Sequence, residues 1–187
     1  RSLFIFKTMN IPFFVPLGIF FTKLSLKLNL PVEGLIKKTI FAQFCGGESL
    51  EDSMPIVKQM YEKNVKSVLD YSVEGKKTDE EFDKTAQVKI DIIKYASDHI
   101  EIPFAVAKPT GLGRFEIWQK ITEKVELTAE EEKEWERVKA RFEKVCKAAY
   151  DHDTDLLIDA EESWMQDAAD ELCEQMMAKY NQKRAII

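Results

Sequence analysis

Ser67-Val-Leu-Asp-Tyr-Ser-Val-Glu-Gly75, with Thr78-Asp-Glu-Glu81 close behind it, governs how the rest of the chain is read. The first run leans toward β-structure and closes on a glycine, a common strand boundary. The second is a capping box: the threonine hydroxyl can accept from the third backbone N–H while Glu81 reaches back to the cap. Phe82, Ala86, Ile93 and Ala96 then approximate one helical face. The same strand-then-helix order recurs downstream. Ile102-Pro-Phe-Ala-Val-Ala-Lys-Pro109 reads as a second strand, ended by Pro109 and the Gly111-Leu-Gly113 turn. Two helical segments follow. The longer opens on another capping box, Thr128-Ala-Glu-Glu131, and carries Trp135, Val138, Phe142, Val145 and Ala149 on one stripe. Asp155-Leu-Leu-Ile-Asp-Ala-Glu161 reads as a third strand. It leads into a helix with Trp164, Ala168, Leu172 and Met176 at i, i+4 spacing, and Arg184 to Ile187 would begin a fourth strand.

Strands alternating with helices require crossover connections and so a parallel sheet. A doubly wound open sheet and a (βα)8 barrel both satisfy this. The first strand is not followed by G-x-G-x-x-G and the chain has no G-x-x-x-x-G-K-[ST], which weakens a nucleotide-binding open sheet. Each strand instead ends in charged residues, where a barrel places its chemistry. The expected class is α/β, an incomplete TIM-like (βα)8 barrel with its first three strands and the start of a fourth. Residues 65–187 would be the first half of that barrel and residues 1–64 an N-terminal helical segment leading into it. Within the latter, Leu30 to Asn64 reads as helices, with Pro55 in the first turn of the last, where its missing N–H costs little.

Composition narrows the functional classes. The 187 residues leave room for one domain or two small ones, and 45% hydrophobic residues suffice for a core. A net charge of −6 argues against nucleic acid as a partner. Cys45, Cys146 and Cys173 are sparse and show no C-x-x-C spacing, which argues against a disulfide scaffold or structural zinc; each is expected to fill apolar volume. Ile11-Pro-Phe-Phe-Val-Pro-Leu-Gly-Ile-Phe-Phe21 is too short and too proline-rich to span a bilayer, which takes roughly 20 apolar residues. Docking against its own domain is the simplest expectation for this run, with peripheral membrane contact as the alternative. A barrel usually takes about 250 residues. The start on Arg1 and the stop at Ala185-Ile186-Ile187 therefore read as a piece cut partway round one.

The strand ends carry the candidate site. With period two, Asp70, Ser72 and Glu74 share one face of the first strand. Phe104, Val106 and Lys108 share one on the second, and Leu157, Asp159 and Glu161 on the third. One lysine facing several carboxylates could anchor a substrate carboxylate by charge pairing. Asp159, Glu161 and Glu162 could equally be the paired acids of a barrel hydrolase. A third reading is a non-catalytic acidic α/β binding module whose charges face solvent. Asp151-His-Asp-Thr-Asp155 reads as an Asp-rich connection rather than a metal loop, because the EF-hand glycine and terminal glutamate are absent. Thr110-Gly-Leu-Gly-Arg114 reads as a tight turn into a helix whose N–H groups could meet an anion. His99 reads as a helix-end residue.

Val68-Leu-Asp-Tyr-Ser-Val-Glu-Gly75, Ala107-Lys-Pro-Thr-Gly-Leu-Gly-Arg114 and Leu156-Leu-Ile-Asp-Ala-Glu-Glu-Ser-Trp-Met-Gln166 together resemble the proline dehydrogenase family in its mitochondrial-like form. Leu30-Pro-Val-Glu-Gly34 and Phe44-Cys-Gly-Gly47 fit the same resemblance, which runs in order over roughly residues 25–187. It implies a distorted (βα)8 barrel holding FAD, and oxidation of L-proline to Δ1-pyrroline-5-carboxylate with the electrons leaving to a membrane quinone. It further implies that Lys108 helps bind the substrate carboxylate beside the flavin, and that Asp159 is the third-strand acid of the site. Asp70 and Glu161 would support the barrel mouth, and Glu74 would be the acidic half of a gate. The family's later strands and its arginine-bearing C-terminal helix would lie beyond Ile187, so the piece alone is expected to be inactive. The implied location is cytoplasmic and peripheral to the inner membrane for a bacterial source, and the mitochondrial matrix for a eukaryotic one.

Overall fold

Apolar residues crowd the first thirty positions, and they fold as two helices, α1 (Ser2–Met9) and α2 (Phe14–Lys27), that meet at a bend of 102°. The structure is a computed structural model that describes residues 2–71 and 75–187, and the chain divides into two units, Arg1–Ile56 and Val57–Ile187. In the first unit, α3 (Glu33–Ile36) passes through one π-helical turn, Lys37–Phe41, into the short α4 (Ala42–Phe44). No single helix among the described residues is long and apolar enough to cross a membrane. Ile11, Phe13, Phe20 and Phe21 are exposed, so the run from Ile11 to Phe21 is not buried as expected. Cys45 is also exposed rather than filling apolar volume, whereas Cys146 is buried; all three cysteines are free thiols.

The helix α5 (Leu50–Tyr61) begins earlier than its sequence suggests, which places Pro55 inside it rather than in its first turn. There the missing N–H removes one bond of the helical ladder. From Val57 onward the order is α6 (Asp79–Ser97), β1 (Phe104–Ala107), α7 (Phe115–Thr122), α8 (Ala129–Asp151), β2 (Asp155–Ile158) and α9 (Gln166–Tyr180). Both capping boxes form in full: Thr78 accepts from Glu81 N and Thr128 from Glu131 N, and each glutamate accepts from its cap's N–H. His99 lies just past α6, its ring stacked on Tyr95 and its Nδ1 2.7 Å from the Tyr95 carbonyl oxygen.

β1 and β2 pair in parallel, Phe104 opposite Asp155 and Ala107 opposite Ile158. The strands are shorter than the sequence runs. Pro103 and Pro109 bracket β1, and proline contributes no N–H to a ladder. The expected first strand is reduced, among the described residues, to a single bridge from Leu69 to Ala105 and a bond from Ser67 N to Glu101 O. Ser72, Val73 and Glu74 lie outside the described residues, and with them the proposed gate. On the far side, Leu156 N donates to Ile186 O at 2.7 Å, which sets the last residues alongside β2.

The core lies on one side of this sheet. Ala105, Ala107 and Leu156 are buried together with Ile93, Phe142 and Val145, which α6 and α8 supply. The sequence stripe on α9 holds at Ala168 and Leu172 but fails at its ends: Met176 is only half-buried, and Trp164 precedes the helix, is half exposed and packs edge-on against Phe115. Met165 takes the buried place, followed by Ala168, Leu172 and Tyr180.

Candidate active site

The parallel register carries on past the ends of the strands. Asp159 N donates to Ala107 O at 2.9 Å, so Lys108 and Asp159 emerge side by side, and Lys108 Nζ lies 3.3 Å from Asp159 Oδ2. The Asp159 carboxylate holds the Lys108 ammonium above its ordinary pKa; burial works against this, and the charges of Asp70 and Glu161 add to it. Lys108 is therefore cationic throughout the neutral range.

Glu161 is held from both sides. One carboxylate oxygen accepts from Thr110 N at 2.8 Å and the other from the Thr110 hydroxyl at 2.7 Å, while Glu161 N donates to Gln166 Oε1 at 3.0 Å. The N–H that the sequence offered to an anion thus meets the chain's own carboxylate, two residues beyond Lys108. With both oxygens engaged, Glu161 is poorly placed to act as a general base, which counts against the hydrolase reading.

Asp70 follows the bridged Leu69, and the register sets it level with Val106, two residues short of Lys108. It accepts from Lys89 Nζ at 2.5 Å, and Lys89 is itself buried on α6. Sequence reasoning missed Lys89, although it occupies the buried stripe between Ala86 and Ile93. A lysine there needs a buried partner. Arg141 was missed in the same way, one residue before Phe142 on the α8 stripe. It is buried under the turn that follows β1, donating to Asp83 at 2.6 Å, to Asp79 at 2.5 Å and to the Leu112 carbonyl at 3.3 Å. The turn is also pinned sterically: a Cβ on Gly113 would come within 2.4 Å of Val138 Cγ2.

On the sheet face opposite the helices, the side chains among the described residues are open to solvent. Phe104 is 36% and Leu157 46% exposed, beside the half-buried Val106. Parallel sheets are normally covered on both faces. This apolar face ends at the Lys108 ammonium, with the Asp159 carboxylate 3.3 Å from it. Among the described residues no group of three or more potential metal ligands is found.

Several known proteins resemble this chain in sequence. The sequence model described as proline dehydrogenase matches residues 54–186. A carbapenem antibiotics biosynthesis protein, CarD of Pectobacterium carotovorum subsp. carotovorum, is 28% identical over 83% of this chain and 41% of its own length. A mitochondrial proline dehydrogenase 1 of Dictyostelium discoideum is 24% identical over 87% of this chain and 35% of its own. A mitochondrial proline dehydrogenase 2 of Arabidopsis thaliana is 26% identical over 73% and 37%. The chain thus spans less than half the length of these curated relatives.

Proposed function

The chain belongs to the proline dehydrogenase family, and on that premise we propose that the protein carrying it oxidises L-proline to Δ1-pyrroline-5-carboxylate. The observation that carries this reading is the cation–carboxylate pair of Lys108 and Asp159 at the C-terminal ends of adjacent parallel strands, at the edge of an apolar face. Lys108 binds and orients the proline carboxylate, and Asp159 fixes the position of the Lys108 ammonium. Glu161 holds the turn after β1 through Thr110, and Asp70 is held by Lys89 from beneath. Phe104, Val106 and Leu157 exclude water from one side of the reacting ring, and with Lys108 and Asp159 they are the residues here that would hold FAD. When bound, FAD supplies a two-electron acceptor for the oxidation of the ring C–N bond.

Residues 65–187 are read as the first half of a (βα)8 barrel. The bond from Leu156 to Ile186 supports this by starting a further strand beside β2, and the bare sheet face supports it by leaving room for strands that close over it. Glu74 is proposed as a gate residue. The electrons are proposed to leave to a membrane quinone, with the protein peripheral to the membrane. The matrix is the matching compartment for a eukaryotic source and the cytoplasmic face for a bacterial one. The likeness to CarD makes substrate identity the first point to test.

In the full-length protein, Lys108→Met is expected to raise the KM for proline about 10- to 100-fold, the worth of a charge-assisted hydrogen bond. Visible flavin absorbance should stay intact. An unchanged response to proline overturns the role given to Lys108. Turnover of another five-membered-ring imino acid, with proline inert, overturns the substrate assignment.

A further inference from the structure

Proline oxidation leaves the first unit's surface unexplained. α2 is apolar nearly all round, and Phe14, Val15, Ile19, Phe20, Phe21, Leu24 and Leu26 are all exposed; none of its residues is buried. α1 adds exposed Leu3, Phe4 and Phe6. The bend between the two helices frames an apolar cavity of about 840 Å3 lined by Phe4, Met9, Phe14 and Ile19, with Lys23 and Lys38 at its margin. Helices of this composition are normally enclosed by protein or lipid, and an exposed apolar surface this continuous marks an interaction site.

Charge selects the occupant. Residues 1–47 contain Arg1, Lys7, Lys23, Lys27, Lys37 and Lys38 against the single acid Glu33, in a chain whose net charge is −6. Lys37 is engaged by Glu33 at 2.7 Å and Glu48 at 2.9 Å. Among the described residues Lys7, Lys23, Lys27 and Lys38 have no acidic side chain at ion-pair distance. A second copy of the chain, meeting this patch with its own identical patch, would set lysines against lysines. An anionic bilayer suits both features: phenylalanine and leucine enter the acyl boundary while lysines reach the headgroups. The 14 residues of α2 rise only about 21 Å, short of the ~30 Å hydrocarbon core. The 102° bend between α1 and α2 keeps the pair from forming one straight span, which favours lying in the interface over crossing it.

We propose that α1 and α2 form an interfacial anchor that docks the protein on a bilayer containing anionic phospholipid, through the exposed phenylalanines and leucines and the lysines beside them. This rests on, and deepens, the peripheral placement proposed above by assigning the surface and the lipid charge it reads.

The test is flotation of the full-length natural protein, without detergent, with vesicles of phosphatidylcholine alone or of phosphatidylcholine mixed with phosphatidylglycerol. The protein is expected to float with the mixed vesicles, to float weakly with phosphatidylcholine, and to be released as salt is raised. Lys23→Gln combined with Lys27→Gln should weaken partition to mixed vesicles about thirtyfold, at about 1 kcal/mol per lysine near an anionic surface. Phe20→Ser combined with Phe21→Ser should abolish flotation with either vesicle. All four positions are exposed, and an unchanged melting temperature in each variant separates lost docking from lost folding. The proposal is overturned if the wild type stays unbound with both vesicles, whether as monomer or dimer, because another segment or copy then covers the surface. Equal flotation with both vesicles, insensitive to the lysine changes, also overturns it. Proline-dependent dye reduction is read on the same samples. Flotation without dye reduction supports the anchor and overturns proline oxidation, and dye reduction without flotation does the reverse.

Discussion

Arg141 shows how one buried side chain can hold the turn after β1 in place. Its guanidinium joins the N-terminal end of α6, through Asp79 and Asp83, to the Leu112 carbonyl four residues beyond Lys108. It also lies 5.6 Å from the centre of the Phe82 ring. Arg141→Met is expected to destabilise the chain by about 2–3 kcal/mol. That is below the usual cost of breaking a buried pair, because Asp79 and Asp83 are partly solvated. The hydrogen bond from Arg141, aided by Arg137 and opposed by partial burial, holds Asp79 below the usual carboxylate range. A carboxylate depressed in the folded state adds stability that is present above its unfolded pKa, near 3.9, and is lost as pH falls through the lower folded value. Thermal melts across acid pH should therefore show a fall in stability below about pH 4 that Asp79→Asn flattens. An acid limb identical in wild type and Asp79→Asn would refute the assignment. Neither Lys89 nor Arg141 was found from the sequence as a working residue. Each stands where apolar periodicity alone would place a hydrophobe, and only the packing shows which carboxylate comes to meet it.

At the scale of elements, local chemistry and long-range packing divide cleanly. The capping boxes at Thr78 and Thr128 were legible because every group involved lies within four residues. The stripes of α6 and α8 were legible because a helix face is a periodic property of the chain itself. The start of α9 was not, since the choice of Met165 over Trp164 for burial depends on Phe115, which receives Trp164 from another element. The turn between β1 and α7 shows the same limit. Its glycines read as a turn signal, but the reason for Gly113 is the approach of Val138 from α8. Gly113→Ala is expected to cost about 1–3 kcal/mol by overpacking, measured by denaturant unfolding. Paired with Val138→Ala, it should cost much less than the sum of the two single changes. Additive effects would show that the contact is not responsible.

For the whole molecule, the sheet covered on one face sets the expected behaviour of the isolated chain. Purified by itself, the 187-residue chain is expected to show no flavin absorbance and no proline-dependent dye reduction, because Phe104 and Leu157 offer only one wall to a ring that needs two. Stoichiometric FAD in such a sample would overturn the half-barrel reading. The sequence by itself determined what depends on neighbours along the chain: the capped starts of α6 and α8, the strand–helix order from α6 onward, the order of the charged strand ends and the family those residues resemble. Tertiary structure alone decided that Lys108 and Asp159 meet, that Glu161 is spent on Thr110, that Asp70 belongs to Lys89 and that the run from Ile11 to Phe21 stands exposed. The reason is physical. Periodicity and capping are fixed by backbone geometry over a few residues, whereas the partner of a charge is fixed by the packing of segments 19 to 51 residues apart, which no local pattern encodes.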